Sequence, residues 1–498
     1  VSPNITSSWY LALAPEIALV LLLFVVLSYD RIFKPEDKRQ VGQFTAWGAL
    51  AILLMTVGLY WLFQQPNGDW TLTESVFWGG MMRNDLVTLV FRVMFLSALF
   101  MTSLLSMDAP RLQKVEYYGL LITACIGFSL MAASTDLIMI YVALETASIS
   151  SYLLAGFLTE RDRSVEAGMK YFIYGALTTA VMVYGMSLLY GVTGQTNLYL
   201  IGSLFANAEQ VDVVQPVILL AAVMIVVGFG FKISAVPYHF WTPDVYQGSP
   251  TPFTGYLSTA SKAAGFAVFL RVFMAGVLGP ADPSSVWWAM LVAIAIITMT
   301  LGNLVAIFQT NIKRMLAYSS IAQAGYAIIG LVALSQDGSG ATMFYLLMYV
   351  FTNIAAFGVI LLVSNATGSD EISDLNGLNR RSPFLALVML FAILSLGGIP
   401  PTAGFFGKFF LFKAAVDAGL WWLALIGLLN AFVALYYYLN IVKYMYLYRS
   451  DEDEVGIPVS RAAIIGLAVA SFFIIYLGVS AGPAFDLTRQ AAAAFFPG

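Results

Sequence analysis

Residues Gly228 to Pro252 read GFGFKISAVPYHFWTPDVYQGSPTP. An apolar run beginning near Gln215, long enough to cross a bilayer, leads into this stretch. Within it lie Lys232, the chain's single histidine, His239, and the prolines Pro237, Pro243, Pro250 and Pro252. A lysine at bilayer depth costs about 2.5–3.5 kcal/mol on insertion scales. Proline removes a backbone donor and interrupts the helix that would otherwise satisfy the main chain in lipid. A segment carrying both is expected to line a polar path inside the protein. The plainer reading is a kinked core helix with a snorkelling lysine.

Outward from this stretch the whole chain is apolar. Its 498 residues are 60% hydrophobic and 10% charged, with a mean hydropathy of +0.83. Soluble domains carry about 25% charged residues, so an all-α polytopic membrane protein is expected. The net charge is −4, and no basic stripe is present to bind nucleic acid. One cysteine, Cys125, excludes an internal disulfide or thiolate cluster. A single histidine excludes bis-histidine haem. The chain is expected to carry no redox cofactor and no metal of its own.

Apolar runs predict spans at Trp9–Ser28, Phe44–Phe63, Leu86–Ser106, Tyr117–Ala133, Leu137–Leu158 and Met169–Tyr190. Further spans are Gln215–Trp241 (broken), Phe253–Val277, Ser285–Phe308, Met315–Leu334 and Ala341–Val363. The last are Pro383–Val416 (broken), Leu420–Tyr448 and Ala462–Val479, making about 14 transmembrane helices. The first span reads as a retained helix rather than a cleaved signal peptide. Alternate loops collect the basic residues: Arg31, Lys34, Lys38 and Arg39; Arg111 and Lys114; Arg161 and Arg163; Lys313 and Arg314; Arg380 and Arg381; Arg449 and Arg461. The opposite loops hold only Arg83 and Arg489. By the positive-inside rule both termini face outward, which agrees with an even number of crossings.

A weak internal repeat is visible. Thr193-Gly194-Gln195-Thr196-Asn197-Leu198 precedes the first broken span, and Thr367-Gly368-Ser369-Asp370-Glu371-Ile372 precedes the second. The second break is SLGGIPPTAGFFGKFF, Ser395 to Phe410. The breaks lie five spans apart, and an odd number turns the second copy upside down. Two inverted five-helix repeats follow, each with a discontinuous helix. The expected divisions are 1–114, an N-terminal three-helix segment; 115–280, the first repeat, broken around 232–243; 285–448, the second, broken around 397–408; and 449–498, a C-terminal helix and tail.

Few ionisable residues fall near mid-bilayer. Glu145 is the one deep carboxylate, and Lys232 is its candidate partner at similar depth. Two such charges about 4 Å apart attract by about 4 kcal/mol at an effective dielectric near 20, enough to govern whether the lysine keeps its proton. Lys262 sits in STASKAAG among small residues that allow close helix approach, and Lys408 lies on the second broken helix. With His239 and Lys170 these form a candidate proton relay; lysine suits it because its proton affinity responds to surroundings, whereas arginine stays charged. Lys170 lies near a helix end, where snorkelling is an equal reading. Arg92, Arg271, Lys413 and Lys443 read as packing or interfacial residues.

The strings Gly230–Pro252, STASKAAGF, GNLVAIFQTNIKRMLAYSSIAQAGY and LSLGGIPPTAGFFGKFFLF closely resemble the antiporter-like subunits of the proton-pumping NADH:quinone oxidoreductase, complex I, which are related to Mrp-type antiporters. The resemblance runs from about Asp136 to Tyr446. It implies fourteen helices with two inverted five-helix units, and it gives roles by position. Glu145 matches the fifth-helix glutamate, Lys232 the seventh-helix lysine paired with it, Lys262 the central eighth-helix lysine, and Lys408 the twelfth-helix lysine on the exit side. His239 and Lys170 match further polar-axis positions. Lysine at 408, where the M type carries glutamate, and a chain without the L type's long lateral helix point to the N type. The resemblance implies FMN, iron–sulfur clusters and quinone elsewhere in the assembly. It also implies partnership with the other antiporter-like membrane subunits, the lipid bilayer as surroundings, and a bacterial cell (inner) membrane, or alternatively an organellar one. Alternatives from the same motifs are a stand-alone cation/proton antiporter and a ferredoxin-dependent relative of complex I; a structural or quinone-binding subunit is a third class.

Overall fold

The computed structural model describes residues 7–33, 37–63, 75–206, 211–275, 285–449 and 455–496. Lys34 and the expected boundary near 280 lie outside these residues. The chain opens with α1 (Ser7–Ala12), α2 (Ala14–Phe33) and α3 (Arg39–Phe63). A small antiparallel hairpin, β1 (Ser75–Phe77) and β2 (Met82–Asn84), leads into α4 (Leu86–Ser106). Then come α5 (Val115–Ala133), α6 (Leu137–Ala155), α7 (Asp162–Thr193), α8 (Leu198–Ala206), α9 (Val211–Ile233) and α10 (Trp241–Gly248). A continuous helical stretch follows: α11 (Thr251–Tyr256), a π-helical turn at Leu257–Ser261, and α12 (Lys262–Met274). The second half holds α13 (Val286–Ala306), α14 (Ile312–Val332), α15 (Gln336–Thr367), α16 (Leu378–Arg381), α17 (Pro383–Gly397), α18 (Ala403–Asp417) and α19 (Trp421–Tyr446). α20 (Arg461–Val479) and α21 (Ala481–Ala492) close it.

Among the described residues twelve helices are long and apolar enough to cross a membrane, and Ala14–Tyr29 and Pro383–Gly397 are shorter apolar helices. An all-α polytopic membrane protein is therefore what the sequence builds. Some ends differ from expectation. α7 starts at Asp162 rather than Met169, because its first turns carry Asp162, Arg163 and Glu166, which a hydropathy scan passes over. The first span shifts to Ala14–Phe33.

Helix starts follow local chemistry. Asp85, Asp136, Asn311, Ser335 and Ser460 each precede an apolar run and accept a first-turn backbone N–H. α7 and α15 are both 32 residues long and both end on a left-handed glycine, Gly194 and Gly368. The chain beyond each glycine bonds back to the start of a neighbouring helix. Leu137 N donates to Thr196 O (2.9 Å) and Leu198 N to Thr135 O (2.9 Å); Ile312 N donates to Asp370 O (2.8 Å) and Ile372 N to Thr310 O (2.8 Å).

The helices α11, α12, α14 and α15 are almost wholly enclosed, whereas α3, α7, α19 and α20 cover the outside. Large apolar side chains such as Trp61, Leu177, Phe432 and Phe472 point outward. That surface suits hydrocarbon, where apolar groups cost nothing to expose. The N-terminal helices are tied in by two buried ion pairs. Arg92 meets Glu16 at 2.8 Å and Arg271 meets Asp85 at 2.8 Å.

Candidate functional site

The site is built at the two helix breaks. α9 stops at Ile233, Ser234 adopts a positive φ of 64°, and α10 resumes at Trp241. α17 stops at Gly397, Gly398 sits at φ 80°, and α18 resumes at Ala403. The peptides Val236–Pro237 and Pro400–Pro401 are cis. A helix end leaves its last carbonyls without intrahelical donors, and these become ligands for cations.

Lys408 uses them directly. Its Nζ donates to Leu396 O at 2.8 Å and Gly397 O at 3.1 Å, and it faces the Tyr326 ring at 5.1 Å. Lys232, next to last in α9, donates to Ser148 Oγ at 3.1 Å. Gly265 lets α12 close on it, since a Cβ there would stand 3.1 Å from Lys232 Cγ. Lys262 follows the π turn and donates to Ser320 O and Ser320 Oγ, both at 2.6 Å. All three lysines are at most 5% exposed. None forms an ion pair with a carboxylate among the described residues. Hydroxyl and carbonyl oxygens, with the Phe128 ring facing Lys232 and the Tyr326 ring facing Lys408, surround these amines, an arrangement that is costly for a fixed charge and suited to a group that gains and loses a proton.

A polar rail on α14 links two of them, Lys262 and Lys408. Ser320 holds Lys262, and its chain neighbour Ser319 hydrogen-bonds the Tyr438 hydroxyl. Gln323 donates to Tyr438 OH at 2.9 Å and to Leu396 O at 3.3 Å, the carbonyl that Lys408 also occupies. Tyr345 donates to Gln323 from α15, and Asn353 donates to Ser258 Oγ at 2.6 Å. Reading charges alone missed this rail. Its signal was Ser319, Ser320 and Gln323 in AYSSIAQAGY, a polar stripe inside an otherwise apolar span.

Other expected residues fall elsewhere. Glu145 is half-buried and shares its helical stripe with the exposed Val142 and Ile149, at the edge of the molecule. It makes no direct ion pair with Lys232, which donates to Ser148 one turn along α6, but its carboxylate remains close enough to act electrostatically on that lysine. His239 lies in the first break, 5% exposed, and its Nδ1 meets no hydrogen-bond partner among the described residues. Lys170 is removed from the buried row: its Nζ lies 2.6 Å from both Glu166 and Asp244, and the side chain is 37% exposed. Asp244, absent from the sequence reading, also accepts from Arg314 at 2.6 Å. Arg92 and Arg271 are fully engaged as structural ties. Arg271 donates to both Asp85 oxygens, Thr88 Oγ and Ala132 O. Burial pushes the Asp85 carboxyl up, but the Arg271 guanidinium beside it outweighs this and holds it below the usual range.

Two openings flank the row. A cavity of about 580 Å³ lies on the arginine-rich face, among Arg111, Arg161, Arg163, Ser249, Thr251 and Lys313. A pocket of about 300 Å³ opens sideways at Lys408, between Gly398, Phe405, Phe409 and Phe432. Among the described residues no three His, Cys, Asp or Glu side chains cluster as a metal site would require.

Residues 134–434 match the family model described as NADH:quinone oxidoreductase/Mrp antiporter, transmembrane. The chain is 40% identical over 487 residues to NADH-quinone oxidoreductase subunit N of Moorella thermoacetica, covering 97% of this chain and 98% of that protein. A chain of respiratory complex I from Thermus thermophilus is 32% identical and superposes with a TM-score of 0.79, covering 95% of this chain and 99% of that one. A chain of the Mrp complex from Dietzia sp., 20% identical with a TM-score of 0.80 and covering 99% and 98%, shares the fold.

Proposed function

The chain belongs to the NADH:quinone oxidoreductase/Mrp antiporter transmembrane family, and from that premise we propose that it is the N-type antiporter-like subunit of a complex I, moving protons across the membrane as quinone is reduced elsewhere in the assembly. One observation carries the reading: three enclosed lysine amines with no carboxylate at ion-pair distance among the described residues, two of them linked along α14 through Ser320, its chain neighbour Ser319, Tyr438 and Gln323. In this reading Lys262 is the central proton carrier, exchanging its proton through the Ser320 hydroxyl while the Ser320 carbonyl holds the amine in place. Lys408 exchanges protons with the opposite side, and Lys232 takes part through Ser148. Glu145, half-exposed on an outward stripe, acts at the boundary with a neighbouring membrane subunit, and His239 stands in the break as an accessory group.

The arginine-rich face is the cytoplasmic one by the positive-inside rule, with both termini opposite, in a bacterial cell membrane. The chain contributes no FMN, iron–sulfur cluster or quinone site; those belong to other subunits. The segments 115–280 and 285–448 act as two inverted copies of one unit, supported by the equal lengths and matched caps of α7 and α15. Proton transfer requires that binding at each step be weak enough to release, which side-chain oxygens around an amine allow better than a fixed carboxylate.

The test is Lys262→Ala in the whole complex, with quinone reduction and proton movement read separately in membrane vesicles. Loss of proton movement with an assembled complex supports the reading. Normal movement per quinone reduced would remove it. Transport of Na⁺ by the isolated chain would instead favour a stand-alone antiporter.

A further inference from the structure

The two breaks share one local geometry, and that geometry gives a register between them. The left-handed residues Ser234 and Gly398 each donate back three positions, to Phe231 O (3.1 Å) and Ser395 O (3.0 Å). The next amides each donate back five positions, Ala235 N to Gly230 O (2.8 Å) and Ile399 N to Leu394 O (2.9 Å). All of these residues correspond under one constant offset in numbering. Carried backward, it sets Lys232 opposite Leu396, whose carbonyl receives Lys408. The offset does not carry into the helices beyond the breaks, since α10 starts at Trp241 and α18 at Ala403, but Asp244 of α10 and Lys408 of α18 both lie in the first two turns after a break. Lys232 precedes the first break and Lys408 follows the second, so the two broken-helix lysines are not equivalents; the helix that resumes after the first break carries Asp244.

Asp244 stands on the arginine-rich side. α10 ends at Gly248, which lines the cavity on that face. Asp244 itself, 33% exposed, borders an adjoining cavity of about 210 Å³ with Arg163, Glu166 and Gln247. Its Oδ2 meets Lys170 of α7 and its Oδ1 meets Arg314 of α14, each at 2.6 Å, so it joins one helix from each half. The charged groups facing it are Lys170, Glu166 and Arg163 from α7 and Arg314 from α14. On the same short helix, Tyr246 is fully buried and its hydroxyl lies 3.3 Å from Ser320 Oγ, the group that holds Lys262. α10 thus touches the cavity at Gln247 and Gly248 and the cradle of Lys262 at Tyr246.

We infer that Asp244 is the proton-exchanging carboxylate of the arginine-rich side, taking protons from water in the adjoining cavity for the buried lysines, while Lys408 serves the far side. The inference rests on the proton-moving function proposed above. Lys170 already contacts Glu166 at 2.6 Å, so it can release Asp244 without losing its own partner. The freed carboxylate accepts one proton from hydronium in the cavity, leaving a water molecule, and becomes neutral. Passing that proton inward restores its charge and its contact with Lys170.

The experiment compares Asp244→Asn, Asp244→Glu, Arg314→Gln and Lys262→Ala in the intact complex in vesicles, reading quinone reduction, proton movement and assembly. Asp244→Asn is expected to lower proton movement about tenfold or more, while Asp244→Glu keeps most of it. Arg314→Gln removes one cation from the carboxylate, so the pH profile of proton movement moves to higher pH by about half a unit or more. A purely structural bridge would lower the amplitude and leave the profile in place. Normal movement in Asp244→Asn, or an unshifted profile in Arg314→Gln, overturns the inference. The profile decides the matter if the asparagine variant does not assemble. If Lys262→Ala also moves protons normally, the parent reading falls; if Lys262→Ala stops movement and Asp244→Asn does not, this inference falls alone.

Discussion

Replacing Asp85 by alanine would strand Arg271, the bulkiest fully enclosed side chain in the fold. The guanidinium makes four donations, two of them to Asp85 at 2.8 and 3.1 Å. Charge-assisted hydrogen bonds contribute about 1.5–3 kcal/mol each. Removing one partner of a buried pair costs about 3–5 kcal/mol, because the survivor stays buried and unpaired. Asp85 also caps α4 through Thr88 N at 2.9 Å, worth about 1 kcal/mol more. The expected loss is therefore about 4–6 kcal/mol for Asp85→Ala and about 1 kcal/mol less for Asp85→Asn, which keeps a capping oxygen. The double variant Asp85→Asn with Arg271→Met should recover part of the loss, giving a coupling of about 2 kcal/mol or more. Cys125 offers the assay. It is the chain's one cysteine and is completely buried, so its labelling by a thiol reagent during denaturant titration reports opening of the core. Arg271 lies nine residues beyond Lys262 on α12, so the strut also sets the tilt of the helix carrying that lysine. A coupling below about 0.5 kcal/mol would refute the claim that this pair holds α12 to α4.

The same pair sets an acid limit. Because the folded-state carboxyl of Asp85 is held low, its stabilisation is complete above about pH 4 and lost as pH falls through the lower folded value; Asp85→Asn should flatten that part of a stability–pH curve. Gly404→Ala would place a Cβ 1.7 Å from Ser395 O, so α18 must shift from the end of α17; a loss of about 1–3 kcal/mol in denaturant midpoint analysis and weakened proton movement are expected, since Lys408 is held by that end. Gln323→Leu removes the link between Tyr438 and Leu396 O and leaves Tyr345 without its acceptor. It should cost about 1–3 kcal/mol and slow proton movement while quinone reduction continues; unchanged proton movement would show that the rail plays no part.

Much of the fold is legible in the chain because its signals are local. A run of apolar residues declares a span wherever it occurs, since transfer to hydrocarbon is summed residue by residue. Asp136 and Asn311 announce helix starts, Gly194 and Gly368 announce ends, and the prolines around Lys232 and Lys408 announce breaks. The buried lysines could be named from the sequence because an ammonium within an apolar span needs an explanation. Which oxygen solvates each one could not. Lys232 was expected beside Glu145 and is held by Ser148. Lys262 is met by Ser320, 58 positions away, and Arg271 by Asp85, 186 positions away.

The sequence alone determined that this is a many-spanned membrane protein with two interrupted helices and lysines at their core. Those properties follow from each segment's own preference for lipid, helix or turn. The tertiary structure decided which side chains meet: that Gln323 reaches the carbonyl under Lys408, that Ser148 meets the Lys232 amine, and that Asp244 joins Lys170 of α7 to Arg314 of α14. Such meetings depend on how distant helices pack and on where a broken helix leaves its carbonyls free, and no stretch of neighbouring residues encodes either.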